Sequence, residues 1–449
     1  AWITMPVLIA VFAAGAYGFG AALRGLDVIV NEVAIVRGAP DATEGTAQVY
    51  LGVFSPSRGT YQLEVAGGAL LTSTLTGESF GGVGSLDVLQ GDPARIRDLV
   101  VGFGSLRTVR AEAPATVPRI QADLRLDAGS LRGSIRNLSD QTLEAPAVVF
   151  GASVVVLGRL DPGSEQHVNL PLRRAEFGQS LSDRILGSLY SGDPNRTSDS
   201  TQRSAVRHAV IDQLSYDPSF ENPAGQLPSE TPVLLAWGSE QVLDVRISEQ
   251  VPRRTGNVLY YIPLPMQVRG PAVFEGDLVK SSVVEQDVLY LHKDWSGVRM
   301  STGTATIAYR PIAFEGSLAV TKVALALNAG DGARDSGGRV LEVADPQPCR
   351  DVEAAPPDCT EFEPPTCNPN VEHCFEKGFD HTPALELFDR ADGGRWVRMA
   401  SMEAGKSYEI DDPDRYIDPA SGTLLVRFVN ELEEEIGFTF QVRISGEVR

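Results

Sequence analysis

The stretch "IQADLRLDAGSLRGSIRN" (Ile120–Asn137) decides the fold class. Ile120, Ala122, Leu124 and Leu126 alternate with Gln121, Asp123 and Arg125, the period-two pattern of a strand with one buried face. Leu131, Gly133 and Ile135 alternate with Arg132, Ser134 and Arg136 in the same way. Downstream, "AVVFGASVVVLGRL" supplies two more short strands. "DPGS" (Asp161–Ser164) is a turn, because Pro fixes φ and Gly permits positive φ. "EQHVNLPL" follows as a further strand. Short strands at regular turn spacing over 117–172 predict a β-sandwich.

The same alternation extends upstream. "LDVIVNEVAIVRG", "GTAQVYLGVFSPSRGTYQLEV" and "DLVVGFGSLRTVRAEA" predict a membrane-proximal β-domain over 25–116. Between 173 and 222 the period changes. Leu181, Ile185, Leu186 and Leu189 share one helical face, as do Val206, Val210, Ile211 and Leu214. This predicts a helical insertion near 173–222 in a sandwich spanning 117–266, with strands resuming at "VLLAWG", "VLDVRI" and "NVLYYIPLPM". Residues 267–449 carry about eight strand patterns, the number of a jelly roll or similar sandwich, interrupted by a Cys-rich loop at 346–382. The expected fold is mainly β: an N-terminal transmembrane helix, then two or three Ig-like or jelly-roll-like β-sandwich domains.

The run "LRGSIRNLSDQTLEAPAVVFGASVVVLGRLDPGSEQHVNLPL" (131–172) resembles the Ig-like module of bacterial surface proteins. It has a strand ending in Asn, a strand pair, an LG-x-L-x-PG turn and a closing strand. The order of segments is similar to that of uncharacterised bacterial membrane-anchored extracytoplasmic proteins with tandem β-sandwich modules. The resemblance implies a fold and a location, and it brings no catalytic residues.

The location rests on "AWITMPVLIAVFAAGAYGFGAALRG" (1–25), which carries no charge from Ala1 to Leu23. As a helix those 23 residues would be roughly 35 Å long, against a hydrocarbon core of about 30 Å. A secretory signal would need a basic start and a shorter apolar region. Trp2 and Arg24 bracket the segment as membrane-interface anchors do, and Ala14, Gly18 and Ala22 line one face. The expectation is a single-pass anchor at 1–24; a signal remnant and a core helix are the competing readings. The chain opens at Ala1 rather than Met, which leaves room for preceding residues. Cys349, Cys359, Cys367 and Cys374 share one Pro-rich loop. An even number of clustered cysteines suits disulfides, with three possible pairings, and places 25–449 outside the cytoplasm. Their spacings do not match a zinc site.

Composition narrows the function classes. The net charge of −20 excludes non-specific nucleic-acid binding, and because an acidic surface repels anionic headgroups it disfavours a peripheral basic membrane patch. "GESFG" (Gly77–Gly81) fits G-x-S-x-G, but the Gly-rich sequence after Ser79 suits a β-turn better than the helix a nucleophile elbow needs. "AGKS" (Ala404–Ser407) lacks the first Gly of a phosphate loop, since Ala400 stands there. Asp411, Asp412 and Asp414 are weak calcium candidates, with turn chemistry the plainer account. The five histidines (His167, His208, His292, His373, His381) are scattered, and Glu433–Glu435 read as a solvated turn. Trp237, Trp295 and Trp396 suit either a sugar-stacking platform or a core. No catalytic residue, cofactor or metal is assigned. The expected function is a membrane-anchored cell-envelope protein presenting β-sandwich domains to a protein or glycan partner. The alternative is an envelope hydrolase or carbohydrate-active protein.

Overall fold

The computed structural model describes residues 27–73, 87–127, 129–172, 180–189, 198–215, 227–228, 230–248, 251–293, 297–329, 381–391, 393–399, 402 and 406–449. The expected anchor at 1–24 with Trp2 and Arg24, Ser79, Trp295, Gly405 and all four cysteines lie outside them. No helix among the described residues is long and apolar enough to cross a membrane.

The protein is mainly β. The described residues form five sheets. The largest has eight strands in the order β11 (Ser153–Val156), β10 (Glu144–Phe150), β13 (Val233–Gly238), β15 (Arg253–Pro263), β1 (Ile29–Arg37), β2 (Glu44–Ser55), β7 (Ser105–Thr116), β4 (Leu70–Ser73). A second sheet runs β12 (Glu165–Pro171), β9 (Ser130–Asn137), β8 (Ile120–Asp127), β16 (Gln267–Val268). A third runs β14 (Asp244–Ile247), β3 (Gly59–Ala66), β6 (Ala94–Val101), β5 (Asp87–Leu89). Together these make the first body, sandwich-like in its packing.

The pattern that opened the sequence reading is the β8–β9 hairpin. Ile120, Leu124, Leu126, Leu131 and Ile135 are buried, and Leu126 lies opposite Leu131. Gly133 has φ +146, and a Cβ there would stand 1.9 Å from the Asp123 carbonyl oxygen, so the close approach of the two strands requires glycine.

Strand pairing does not follow the boundary expected at 116/117. β15 lies parallel beside β1, Ile29 opposite Arg253 and Arg37 opposite Tyr261, so one sheet draws on both sides of that position. The reason is that alternation shows which face a strand buries but not its hydrogen-bond neighbour.

The helical insertion forms α1 (Leu181–Leu186) and α2 (Ser198–Ser215). The Ser180 hydroxyl accepts the Asp183 N–H and caps α1. Ile185, Ile211 and Leu214 pack on Ile35, Ala147, Val149, Val233, Leu235, Trp237 and Leu259, covering the outer face of the large sheet. Leu234, Ala236 and Val258 face the main core instead. Both faces of β13 are therefore covered, which is why "VLLAWG" reads as an unbroken apolar run.

The second body begins at Gly270. One sheet runs β19 (Leu291–Lys293), β20 (Val298–Met300), β27 (Ile436–Val448), β22 (Leu318–Ala329), β25 (Ser407–Glu409), with β17 (Gly270–Phe274) also on β27. The other runs β18 (Val279–Val288), β21 (Gly303–Pro311), β26 (Leu424–Asn430), β23 (Ala384–Asp389), β24 (Arg395–Arg398). Phe428, Phe438 and Phe440 meet between them, with ring centroids 4.8 to 5.0 Å apart.

Candidate functional site

A cleft of about 220 Å3 opens where the two bodies meet. It is lined by Gly129, Phe150, Gly151, Ser153, Leu172 and the Glu275–Leu278 turn. The tip of the β10–β11 hairpin forms one wall. Gly151 has φ +55, and a Cβ there would come within 2.8 Å of the Asp277 carboxylate. Glycine therefore lets that carboxylate accept the Ala152 N–H at 2.8 Å. The Ala152 carbonyl accepts Arg184 Nη1 of α1 at 2.7 Å. The hairpin tip is held by the second body on one side and the helical insertion on the other.

The surrounding charges engage one another. Glu275 pairs with Arg443 at 2.8 Å, and Glu230 with Arg310 at 2.8 Å. Burial lowers the pKa of the Lys280 ammonium, while Asp277 and Glu230 pull it back up. Asp277, Lys280, Glu230 and Arg310 form a charged seam across the junction. The seam fixes the joint and leaves a groove walled by Phe150, Leu172 and an acidic turn.

The sequence-marked residues do not converge on this cleft. His208 of α2 is buried, its Nδ1 3.8 Å from Asp183 Oδ1 and its Nε2 without a hydrogen-bond partner among the described residues. Neighbouring Arg207 stacks over Trp237 at 5.0 Å and pairs with Glu144 at 2.7 Å, which fastens α2 to the sheet. His167 and His292 are exposed on separate strands, and His381 lies 3.5 Å from Glu434 in solvent. Trp237 is a core residue. Trp396 has Arg427 over its ring at 4.0 Å and Phe388 edge-on at 5.2 Å. These two tryptophans sit in different bodies and form no shared platform.

Asp411, Asp412 and Asp414 surround the 3-10 turn Pro413–Arg415, with Asp412 in the left-handed region at φ 52. The turn's Arg415 pairs with buried Asp389. Among the described residues no three His, Cys, Asp or Glu side chains come together as a metal site.

Two buried arrangements went unmarked in the sequence. Glu32 accepts the Val242 N–H at 2.7 Å and Arg254 Nη2 at 2.8 Å, and Arg254 also donates to the Leu243 carbonyl. Asn430 ends β26 as Asn137 ends β9, and both side chains are buried. The second strand-ending Asn was visible in "VRFVNELEEE", where an alternating run stops at an Asn.

Residues 119–267 match a family model described as a domain of unknown function, DUF8725. No curated protein matches. Two solved structures are similar over 54% of this chain at 6% identity: the "Yeast delta-COP-I mu-homology domain" (98% of that chain, TM-score 0.27) and the same domain "complexed with Dsl1 WxWxV peptide" (97%, TM-score 0.25).

Proposed function

We propose that this chain is a single-pass, membrane-anchored extracytoplasmic protein whose Ig-like and second β bodies act as a rigid scaffold, presenting the junction cleft to a protein or glycan partner. One observation carries the reading: the charged groups around the cleft brace the joint. Asp277 holds a backbone N–H, Glu275 holds Arg443, and Glu230 holds Arg310. Groups tied into such pairs orient surfaces; they do not stand ready for proton transfer. The uncharged run from Ala1 to Leu23 supports the anchor. The His208 imidazole, 3.8 Å from the half-exposed Asp183 carboxylate, is itself buried on α2, which keeps the ring away from a polymer substrate.

Intact cells expressing the full chain, treated with external protease, test the reading. Digestion of the β bodies, together with retention of undigested chain in carbonate-washed membranes, is the expected result. A chain that is released by carbonate, or protected from protease in intact cells, overturns it.

A further inference from the structure

The ends of several strands gather at one pole of the first body. Ile29 lies opposite both Phe54 and Arg253, and Phe54 lies opposite Leu106. Ser55 lies opposite Ser105, and Gly59 opposite Val101. The start of β1, the β2–β3 turn, the β6–β7 turn and the entry to β15 therefore share this pole. The second body leaves from the opposite end, after β15 has run from Arg253 to Pro263.

This pole is apolar where water would be expected. Val251 is 96% exposed, Phe103 66%, Leu106 53% and Val100 45%. The strand registers bring these four exposed apolar side chains to one end of the body, Val100 from the outer face of the third sheet and Leu106 from that of the large sheet. Arg58 and Arg253 are exposed among them, and Arg107 donates its Nε–H to the Val100 carbonyl at 3.2 Å. Among the described residues Asp27 and Asp98 are exposed acids nearby. Aromatic and aliphatic side chains with arginines at the same end match the chemistry of a bilayer interface, with its apolar interior and anionic headgroups.

We propose that this pole is a lipid-facing surface, with Phe103, Leu106, Val100 and Val251 resting in the headgroup layer and the three arginines on phosphates. The inference rests on the anchor reading and deepens it. Only Arg24–Val28 separate the uncharged run from β1, a tether of five residues. Five extended residues span roughly 17 Å, so an inserted 1–23 leaves the pole little room to stand off the membrane. The net charge of −20 belongs to the molecule as a whole, whereas Arg58, Arg107 and Arg253 stand at the strand ends and turns of this pole.

The test uses the full chain reconstituted in vesicles of equal phosphatidylcholine and phosphatidylglycerol, comparing the parent with Phe103→Trp. The added emission should be blue-shifted, quenched by brominated acyl chains and shielded from aqueous iodide. Val88→Trp, on the β5–β6 pair away from the pole, should give emission that brominated lipid leaves unchanged. If the chain floats with vesicles but the Phe103→Trp emission is quenched by iodide alone, the lipid-facing pole is overturned and the anchor stands. A blue shift that grows with protein density and ignores brominated lipid makes the pole a contact between copies and also overturns it. A chain that fails to float removes the anchor reading and this inference with it.

Discussion

Asn137 in the first body and Asn430 in the second do the same local work in different settings. Each Nδ2 donates to the carbonyl four residues on, Gln141 at 2.7 Å and Glu434 at 2.9 Å. Each reaches a second carbonyl from another segment, that of Leu160 at 3.1 Å and Met300 at 3.4 Å. Each Oδ1 accepts an N–H two residues on, from Ser139 and Leu432, both at 3.0 Å. The difference lies in what the loop meets next. Gln141 donates to Glu240, which follows β13, and accepts from Tyr260 of β15 at 3.1 Å. The Glu434 side chain lies 3.5 Å from His381, both exposed to solvent. Glu32 then anchors the segment after Glu240 through Val242, Leu243 and Arg254. A short motif sets a corner, and the long-range contacts around it decide how firmly that corner is held.

The firmest part of the first corner should show the largest loss. Glu32→Ala strands Arg254 and two backbone N–H groups in a buried place, and should cost about 3–5 kcal/mol in denaturant unfolding. A loss below about 1 kcal/mol would show that the long-range brace contributes little. Asn137→Ala removes four hydrogen bonds, including one accepted from the Ser139 hydroxyl, and should cost about 3 kcal/mol. Asn430→Ala removes three, one of them long, and should cost about 2 kcal/mol. Equal losses at the two positions would erase the difference between the bodies.

The smallest effect depends on pH. Burial raises the Glu240 carboxyl above its ordinary value, with Asp140 adding to the rise. A raised carboxylate pKa in the folded state favours folding while the group is protonated, and that contribution fades as pH climbs through the folded value. Glu240→Gln should therefore match the parent in acid and gain less than about 1 kcal/mol on it at neutral pH, since the site is partly solvated. Parallel stability curves for the two proteins across that range would contradict the sign.

The β8–β9 alternation was legible because each strand buries one face, so composition and period coincide. The helices were legible for the same reason: Ile185, Ile211 and Leu214 point where the 3.6-residue period sends them. Asn137 was legible as a strand end, though its hydrogen bonds were not. The cleft was hidden, since Gly151, Ala152 and Asp277 carry no shared pattern and Asp277 lies 125 residues from Ala152. His208 and Trp237 stood out as chemical side chains and proved to be packed under and against the helical cover.

The sequence by itself determined where strands and helices lie, which faces they bury, and that an uncharged run of 23 residues precedes the first strand. Periodicity is a local property, written into neighbouring residues. Only the tertiary structure decided that β1 lies beside β15, that Glu32 finds Arg254 222 residues away, and that the strand ends carrying Arg107 and Arg253 come to one pole. Those choices follow from hydrogen bonds and burial between distant segments, which no local pattern records.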